Sequence, residues 1–484
     1  MVQATTIDYN TVIATRDADP EGERNLNAAR ERITSIILLT HNKLDFTRTC
    51  VDSIRRHTPA HTYEIIVVDN ASNDGTAAWL NEQEDIVPVR NRTNVGFPAG
   101  CNQGLRMARG DTVMLLNNDT VVTPHWLKYL RDCLGSSDRI GAVGPVTNSA
   151  SYYQTIPTTY HTEQELDAFA CDVHEQNRGR WEKRLKLVGF CMLIKRAVLD
   201  AVGELDERFS PGNFEDDDLS LRILQAGYDL RLCHDVFIHH AGSATFRDAP
   251  SSFSDTLRLN ARKFSGKWGF VPAHSTQIRF DVLSLLDRHA PDQPLTVLDI
   301  GCGCGGTLLH LQNLYPQARL HGIEQNARSA AIARLFADVS VQAIEDAITY
   351  PAQTFDYIIA ADILEHLRDP WGVVTRLGEL LKPNGKLLAS IPNTMHYTVI
   401  RGLINGTWTY AEEGLLDRTH LRFFTLTEID RMLAQAGYGQ RAYTANTLTH
   451  AEEDEGWIDA LAHLSTVVDR NQFTAYQYLI KASR

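Results

Sequence analysis

Val297-Leu-Asp299-Ile-Gly301-Cys-Gly303-Cys-Gly305 is the stretch on which the reading of this chain turns. Its apolar start makes a short buried strand, three alternating glycines follow, and a helical run over 308–314 comes next. Glycine lets a chain turn tightly and admits a ligand against backbone that a Cβ would block. Asp299 stands near the strand's end, where a carboxylate can hold a cationic or amine group. A second strand, 319–323, ends in Glu324, about twenty residues past the glycines, where a doubly wound domain places the acid that accepts both ribose hydroxyls. Strand, turn, helix, strand and acid in that order predict a nucleotide-type cofactor on the turn at Gly301 and Gly303.

The rest of the chain must hold more than this domain, because 484 residues exceed one ordinary core. A net charge of −13 argues against gripping nucleic acid through the bulk field, while leaving room for a local basic pocket. The longest apolar runs, such as 35–39 and 65–68, are strand-length, so no transmembrane segment is expected. The first thirty residues are polar and charged with no apolar signal-peptide core. The eight cysteines show no CxxC spacing, which points to reduced thiols and a cytoplasmic setting. Cys302 and Cys304 read as small turn residues rather than as a metal pair.

Upstream, strand-like and helical runs alternate: 33–39, 44–56, 63–68, 76–80, then 112–116 and 124–134. Such alternation predicts βαβ units and a mainly parallel sheet. It loosens over 148–184, which reads as an irregular, substrate-binding kind of segment. A polar helical stretch over 251–268 leads to the second α/β pattern. The expected organisation is a polar extension over 1–32, then two tandem Rossmann-like α/β domains over 33–272 and 273–484.

Across roughly 280–440 the second domain resembles the class I S-adenosylmethionine-dependent methyltransferases. Phe355-Asp-Tyr-Ile-Ile-Ala-Ala-Asp362-Ile-Leu-Glu365-His366-Leu looks like the family's fourth strand and following turn, and Leu380-Leu-Lys-Pro-Asn-Gly385-Lys-Leu-Leu like the entry to its fifth. The resemblance implies that Asp299, Gly301 and Gly303 line the methionine part of S-adenosylmethionine, that Glu324 binds its ribose and that Asp362 belongs to the cofactor site. The position matching the family's adenine-binding acid is Ala343, with Glu345 and Asp346 close by, and the adenine contact stays unassigned. Leu416-Asp417-Arg418-Thr419-His420-Leu421-Arg422-Phe423-Phe424 resembles a signature of methyltransferases associated with bacterial surface polysaccharides. An oxygen nucleophile in line with the sulfonium needs a base, and His366 and His420 are the candidates.

In the first domain, polar groups crowd strand ends. Strand 64–68 runs into Asp69, strand 112–116 into Asn117-Asn118-Asp119, and strand 236–238 into His239-His240. Strand ends are where open α/β sheets bind ligands, and oxygen donors there can hold a divalent cation. Glu215-Asp216-Asp217-Asp218 opens a helix whose core face is Leu219, Ile223 and Ala226. One or two acids suit a helix N-terminus, whereas four repel one another and point to a cation or to proton transfer.

Together with Asn94-Val-Gly96-Phe-Pro-Ala-Gly100-Cys-Asn102-Gln-Gly104 and His239-His-Ala-Gly-Ser, these runs resemble the inverting GT-A-type glycosyltransferases, especially the rhamnosyltransferase-like group, over about 33–270. By position the resemblance implies donor contacts at Thr40, Asp69 and Asn117. It places the cation (Mg or Mn) on Asp119 with His240, or less readily His239, and makes Asp216 the base. Asn117 replaces the first acid of the family's DxD motif. That is the one feature favouring a methyltransferase whose N-terminal domain binds glycan without catalysis; against a non-catalytic scaffold of a polysaccharide assembly complex stand two nearly intact sites. The sequence thus leads to a bifunctional enzyme that adds a sugar from a nucleotide-sugar donor and O-methylates a sugar. Its acceptor would be a glycan, a glycoprotein or a glycosylated small molecule.

Overall fold

The computed structural model describes residues 33–242, 250–346 and 348–484. The expected extension over 1–32 and Ser243 of the histidine run lie outside them. The chain divides into two compact units, the first comprising 1–181 and 186–257, the second 182–185 and 258–484. Helix Pro250–Trp268 runs through the join at Leu257 and Arg258.

The first, nine-stranded sheet comprises β1 (Thr34–Thr40), β2 (Tyr63–Asp69), β3 (Ile86–Arg90), β4 (Thr112–Asn117), β5 (Thr120–Val121), β6 (Ile140–Thr147), β7 (Trp181–Arg184), β8 (Cys191–Lys195) and β9 (Asp229–His240). The path through the sheet is β3-β2-β1-β4-β8-β6-β9-β5. β1, β2, β3 and β4 pair in parallel, whereas β8 runs antiparallel to both its neighbours. The inner strands read as continuous apolar runs because both faces are covered. Ile36, Leu38, Ile65, Val67, Met114 and Leu116 make one core layer. On the other face lies helix Phe97–Met107, which explains the spacing Gly100…Gly104. A Cβ on either would stand 2.4 Å from Leu39 or 2.5 Å from Ile37, so only glycine lets the helix sit this close to the sheet.

The segment expected to be irregular is half helix: Glu163–Asn177. A capping box, Thr162 with Glu165, starts it, and Leu166, Ala170 and Val173 bury its inner face. Both signals are in the sequence, hidden by polar residues around them.

The second unit's strands are β10 (Thr296–Ile300), β11 (Arg319–Glu324), β12 (Asp338–Val341), β13 (Phe355–Ala361), β14 (Leu381–Pro392), β15 (Gln440–Thr447) and β16 (Ala475–Ser483). They lie in the order β12-β11-β10-β13-β14-β16-β15; the first five pair in parallel, and β16 runs antiparallel between β14 and β15. Alternate residues feed two layers: Leu298, Ile358 and Leu387 pack into one core, Val297, Ile359 and Leu388 into the other. Both units are therefore Rossmann-like α/β domains. The helix expected over 280–289 is shorter, Phe280–Leu283, with tighter turns through Leu285 and Leu286. Among the described residues no helix is long and apolar enough to cross a membrane.

Candidate active sites

The strand order first reverses between β1 and β4 in one sheet and between β10 and β13 in the other. Open α/β sheets bind ligands at the carboxyl ends of strands at such a switch point.

In the first unit the switch point gathers Thr40, Asp69, Asn117 and Asp119. Asp69 is nearly buried and takes the Ser72 N–H on Oδ1 at 2.9 Å. The next residue, Asn70, is a positioning group that the sequence reading passed over. Its amide donates to Asn94 Oδ1 at 2.8 Å and accepts from the Val95 N–H at 3.0 Å, tying the end of β2 to the turn before helix Phe97–Met107. The Thr40 side chain is fully buried, and its hydroxyl pairs with Thr47 at 2.9 Å and accepts from the Asn118 amide at 3.3 Å.

Asp119 and His240 meet at 3.2 Å, Oδ1 to Nε2, with Asn117 Nδ2 at 3.5 Å from the same nitrogen. His240 Nδ1 lies 2.6 Å from the Ser149 carbonyl, which can only accept, so Nδ1 carries the hydrogen. In the neutral ring Nε2 then presents a lone pair to a carboxylate oxygen, an arrangement that a proton or a cation must bridge. Burial disfavours charge on His240, yet the Asp119 carboxylate more than offsets it and raises the pKa. An imidazole nitrogen and a carboxylate oxygen at this spacing fit a divalent cation. His239 does not: residues alternate along a strand, and it faces Tyr160, whose hydroxyl lies 2.6 Å from Nδ1.

The four acids in the first turn of helix Glu215–Gln225 have separate fates. Asp217 pairs with Lys186 at 2.7 Å, and Asp218 is buried against Arg222 at 2.9 Å. Glu215 is buried, and burial pushes its pKa far up. Asp216 accepts N–H groups from Gly189 at 2.8 Å and from Asp217 at 2.9 Å. Burial, then the Asp217 charge, push its pKa up to about 6, against the pull of the Gly189 N–H and Lys186. Asp216 and the histidine pair are joined by one dipeptide. Gly189 donates to Asp216, while Phe190 takes the Asn117 N–H at 2.8 Å and stacks its ring on His240 at 5.1 Å. A surface cleft of about 510 Å3 lined by His125, Tyr129, His174, Trp181 and Asp235 shares no residue with this constellation.

In the second unit Gly301 and Gly303 turn the chain with φ of 70° and 55°. A Cβ on Gly301 would meet Ile363 Cδ1 at 2.2 Å, and one on Gly303 the Ser275 carbonyl oxygen at 2.7 Å. The glycines thus answer the chain's own packing as well as any ligand. Glu324 is nearly buried and accepts the Gly303 N–H at 2.9 Å and the Asn326 N–H at 2.7 Å, which fixes its carboxylate beside the turn. Burial raises the Asp299 pKa to about 7, with Arg279 opposing and Glu324 adding to the shift. Asp362 turns in the left-handed region at φ 53° and is held by Arg279 at 2.6 Å, by the Ser390 hydroxyl at 2.7 Å and by Gln477. Arg279 and Ser390 carry no signal of this role in the sequence. Glu345, the nearby candidate for adenine, takes the N–H groups of Arg368 at 2.9 Å and Asp369 at 3.1 Å. Cys302 and Cys304 are buried, as are most of the other cysteines. His366 and His420, fifty-four positions apart, come together with ring centroids 4.9 Å apart.

Residues 35–203 match the family described as Glycosyl transferase family 2, and residues 275–440 a Methyltransferase domain. The chain thus carries a glycosyltransferase domain followed in tandem by a methyltransferase domain. It is 28% identical over 238 residues to the uncharacterized protein y4gI of Sinorhizobium fredii, covering 45% of this chain and 26% of that one. It is 29% identical over 202 residues to the ubiquinone biosynthesis O-methyltransferase of Chromobacterium violaceum, covering 38% of this chain and 85% of that enzyme. A Pyrobaculum calidifontis mannosyltransferase, solved with GDP-Man and Mn2+, aligns at 16% identity and a TM-score of 0.38, covering 63% of this chain and 73% of that one. The chain spans about a quarter of the length of the Sinorhizobium relative.

Proposed function

We propose that the first domain, 33–272, transfers a sugar from a nucleotide-sugar donor to an acceptor hydroxyl with inversion. The second, 273–484, then O-methylates the sugar just attached, in cytoplasmic assembly of a bacterial glycan, glycoprotein or glycosylated natural product. The carrying observation is the Gly189-Phe190 dipeptide, which joins an acid of raised pKa to the Asp119–His240 pair. Asp216 takes the acceptor proton as the new bond forms, and one base without a covalent intermediate inverts the anomeric carbon. Asp119 and His240 hold a divalent cation, with Asn117 and Asp69 on the donor; such a cation stabilises the charge of a departing diphosphate.

In the second domain Gly301 and Gly303 cradle the methionine part of S-adenosylmethionine, Asp299 meets its ammonium and Glu324 its ribose. When bound, this cofactor supplies an activated methyl group. His366 and His420 serve the acceptor hydroxyl. Similarity to O-methyltransferases supports oxygen as the atom methylated.

The order of the two steps follows from fusion, because each site sees the other's product at raised effective concentration. The test supplies acceptor and S-adenosylmethionine with and without nucleotide-sugar donor. Product mass should rise by a sugar plus a methyl only when donor is present, and Asp216→Asn should lose both additions. Pre-glycosylated acceptor should restore methylation to that variant. Methylation of bare acceptor at a comparable rate refutes the order.

A further inference from the structure

Glu365 is a buried acid without an apparent use. It is 1% exposed, and neither carboxylate oxygen has a hydrogen-bond partner among the described residues. A buried carboxyl group with no partner is either held neutral or matched by a counter-charge. Its backbone carbonyl, by contrast, takes two N–H groups, those of Leu421 at 2.8 Å and Arg422 at 3.0 Å. Those two bonds fasten the loop carrying His420 onto the turn carrying His366. One ligand atom from each of Glu365, His366 and His420 then lies within 4.8 Å of the others.

Both imidazoles are oriented the way metal ligands are. His420 Nδ1 lies 3.2 Å from the Leu415 carbonyl, which can only accept, so that nitrogen carries the hydrogen. His366 Nδ1 lies 3.2 Å from both the Thr419 carbonyl and the Thr419 hydroxyl. That hydroxyl gives its own hydrogen to Asp417 at 2.6 Å, so it too accepts from the ring. In both rings Nε2 is left as the lone-pair nitrogen. A ring nitrogen fixed on a carbonyl or carboxylate, with the other free to bind, is the usual outer-shell support of a metal-ligating histidine.

We propose that Glu365, His366 and His420 form a divalent transition-metal site in the methyltransferase domain, and that its open positions bind the acceptor hydroxyl. The inference rests on the methyl-transfer reading above and changes one part of it: the two histidines are ligands rather than bases. Two imidazoles and one carboxylate suit Mn2+, Fe2+, Co2+ or Zn2+ better than Mg2+ or Ca2+, which prefer oxygen donors throughout. The site lies beside the cofactor turn, since Ile363, two residues before Glu365, is the side chain that a Cβ on Gly301 would strike. A cation there lowers the pKa of the acceptor hydroxyl, whose proton passes to solvent water. The oxygen's electron pair then forms the O–CH3 bond as the S–CH3 bond breaks, and the sulfonium leaves as a neutral thioether.

The experiment counts Mn2+ per full-length chain by electron paramagnetic resonance. Asp119→Ala and His240→Ala are both introduced, to remove the candidate pair in the glycosyltransferase domain. That double variant should bind one Mn2+ per chain, with 14N couplings from imidazole. Adding Glu365→Gln or His420→Gln should weaken this binding by at least ~10-fold, while calorimetry shows S-adenosylmethionine binding retained. No bound Mn2+ in the double variant, or binding unmoved by both further substitutions, overturns the site. On pre-glycosylated acceptor, methyl transfer should fall at least ~100-fold in chelator and return with added Mn2+; undiminished transfer there overturns the catalytic role. Loss of S-adenosylmethionine binding by the wild type would sink the methyltransferase reading instead, and the metal count would still decide the site.

Discussion

If Asp216 is the base of sugar transfer, its environment dictates how the rate depends on pH. The carboxylate must be ionised to accept a proton, and burial together with the Asp217 charge sets its pKa at about 6. At pH 7 roughly nine-tenths of the protein then carries the active form, and at pH 5 roughly one-tenth, so the rate should fall about tenfold between plateau and pH 5. The neighbours allow the limb to be moved both ways. Asp217→Asn removes a like charge, which lowers the Asp216 pKa and shifts the acid limb to lower pH. Lys186→Met removes the cation 2.7 Å from Asp217, leaves that charge uncompensated and shifts the limb to higher pH. Asp216→Asn should lose at least ~100-fold at every pH and show no limb in this range. The substitution is not isosteric in its bonding. Both oxygens accept backbone N–H groups, and an amide can accept on only one side. S-adenosylmethionine binding in the same variant therefore serves as the check on folding. The assay is initial rate of donor consumption with saturating acceptor from pH 4.5 to 8. An acid limb that survives in Asp216→Asn, or that moves the wrong way in Asp217→Asn, refutes the assignment.

Asp119→Ala should abolish the dependence of donor hydrolysis on divalent cation and weaken donor binding together, and full wild-type transfer in excess chelator would replace this with a metal-free mechanism. Asp299, raised to about 7, should make S-adenosylmethionine binding weaken about tenfold per pH unit below 7, because only its carboxylate pairs with the cofactor's ammonium. Calorimetry across pH 5–8 should find that slope gone in Asp299→Asn; a slope that persists assigns it to another group. Gly301→Ala should lower stability by about 1–3 kcal/mol through its φ of 70° and the Ile363 contact. Part should return with Ile363→Val, which lacks Cδ1, and an unchanged melting temperature for Gly301→Ala would show that the turn is not constrained.

Where local chemistry decided the structure, the sequence was legible. Strands with both faces covered carry uninterrupted apolar runs, as in Ser35–Leu39 and Ile65–Val68, and these read correctly without tertiary information. The alternation of Leu298, Ile358 and Leu387 against Val297, Ile359 and Leu388 could not be read the same way, since nothing local says which layer a residue joins. Helix Glu163–Asn177 was missed because its buried stripe is thin and its outer faces are polar, although its capping box was plain to see. Thr40 shows a different limit. Its hydroxyl pairs inside the fold with Thr47 and Asn118, partners that no local pattern announces.

Histidine neighbours reveal the same limit more sharply. His239 and His240 are adjacent in sequence, but the pleat sends one to Tyr160 and the other to Asp119, so proximity along the chain separated them in space. His366 and His420 are far apart in sequence, and two N–H bonds from Leu421 and Arg422 to one carbonyl bring them together. A reader of the sequence can nominate both histidines as bases, because that role needs only one residue at a time. A shared site depends on backbone hydrogen bonds between a turn and a distant loop, and on an acid left bare between them. Glu365 stood in the quoted run beside His366 all along. What marks it is a buried carboxylate with no side-chain hydrogen-bond partner among the described residues, a property of the folded chain alone.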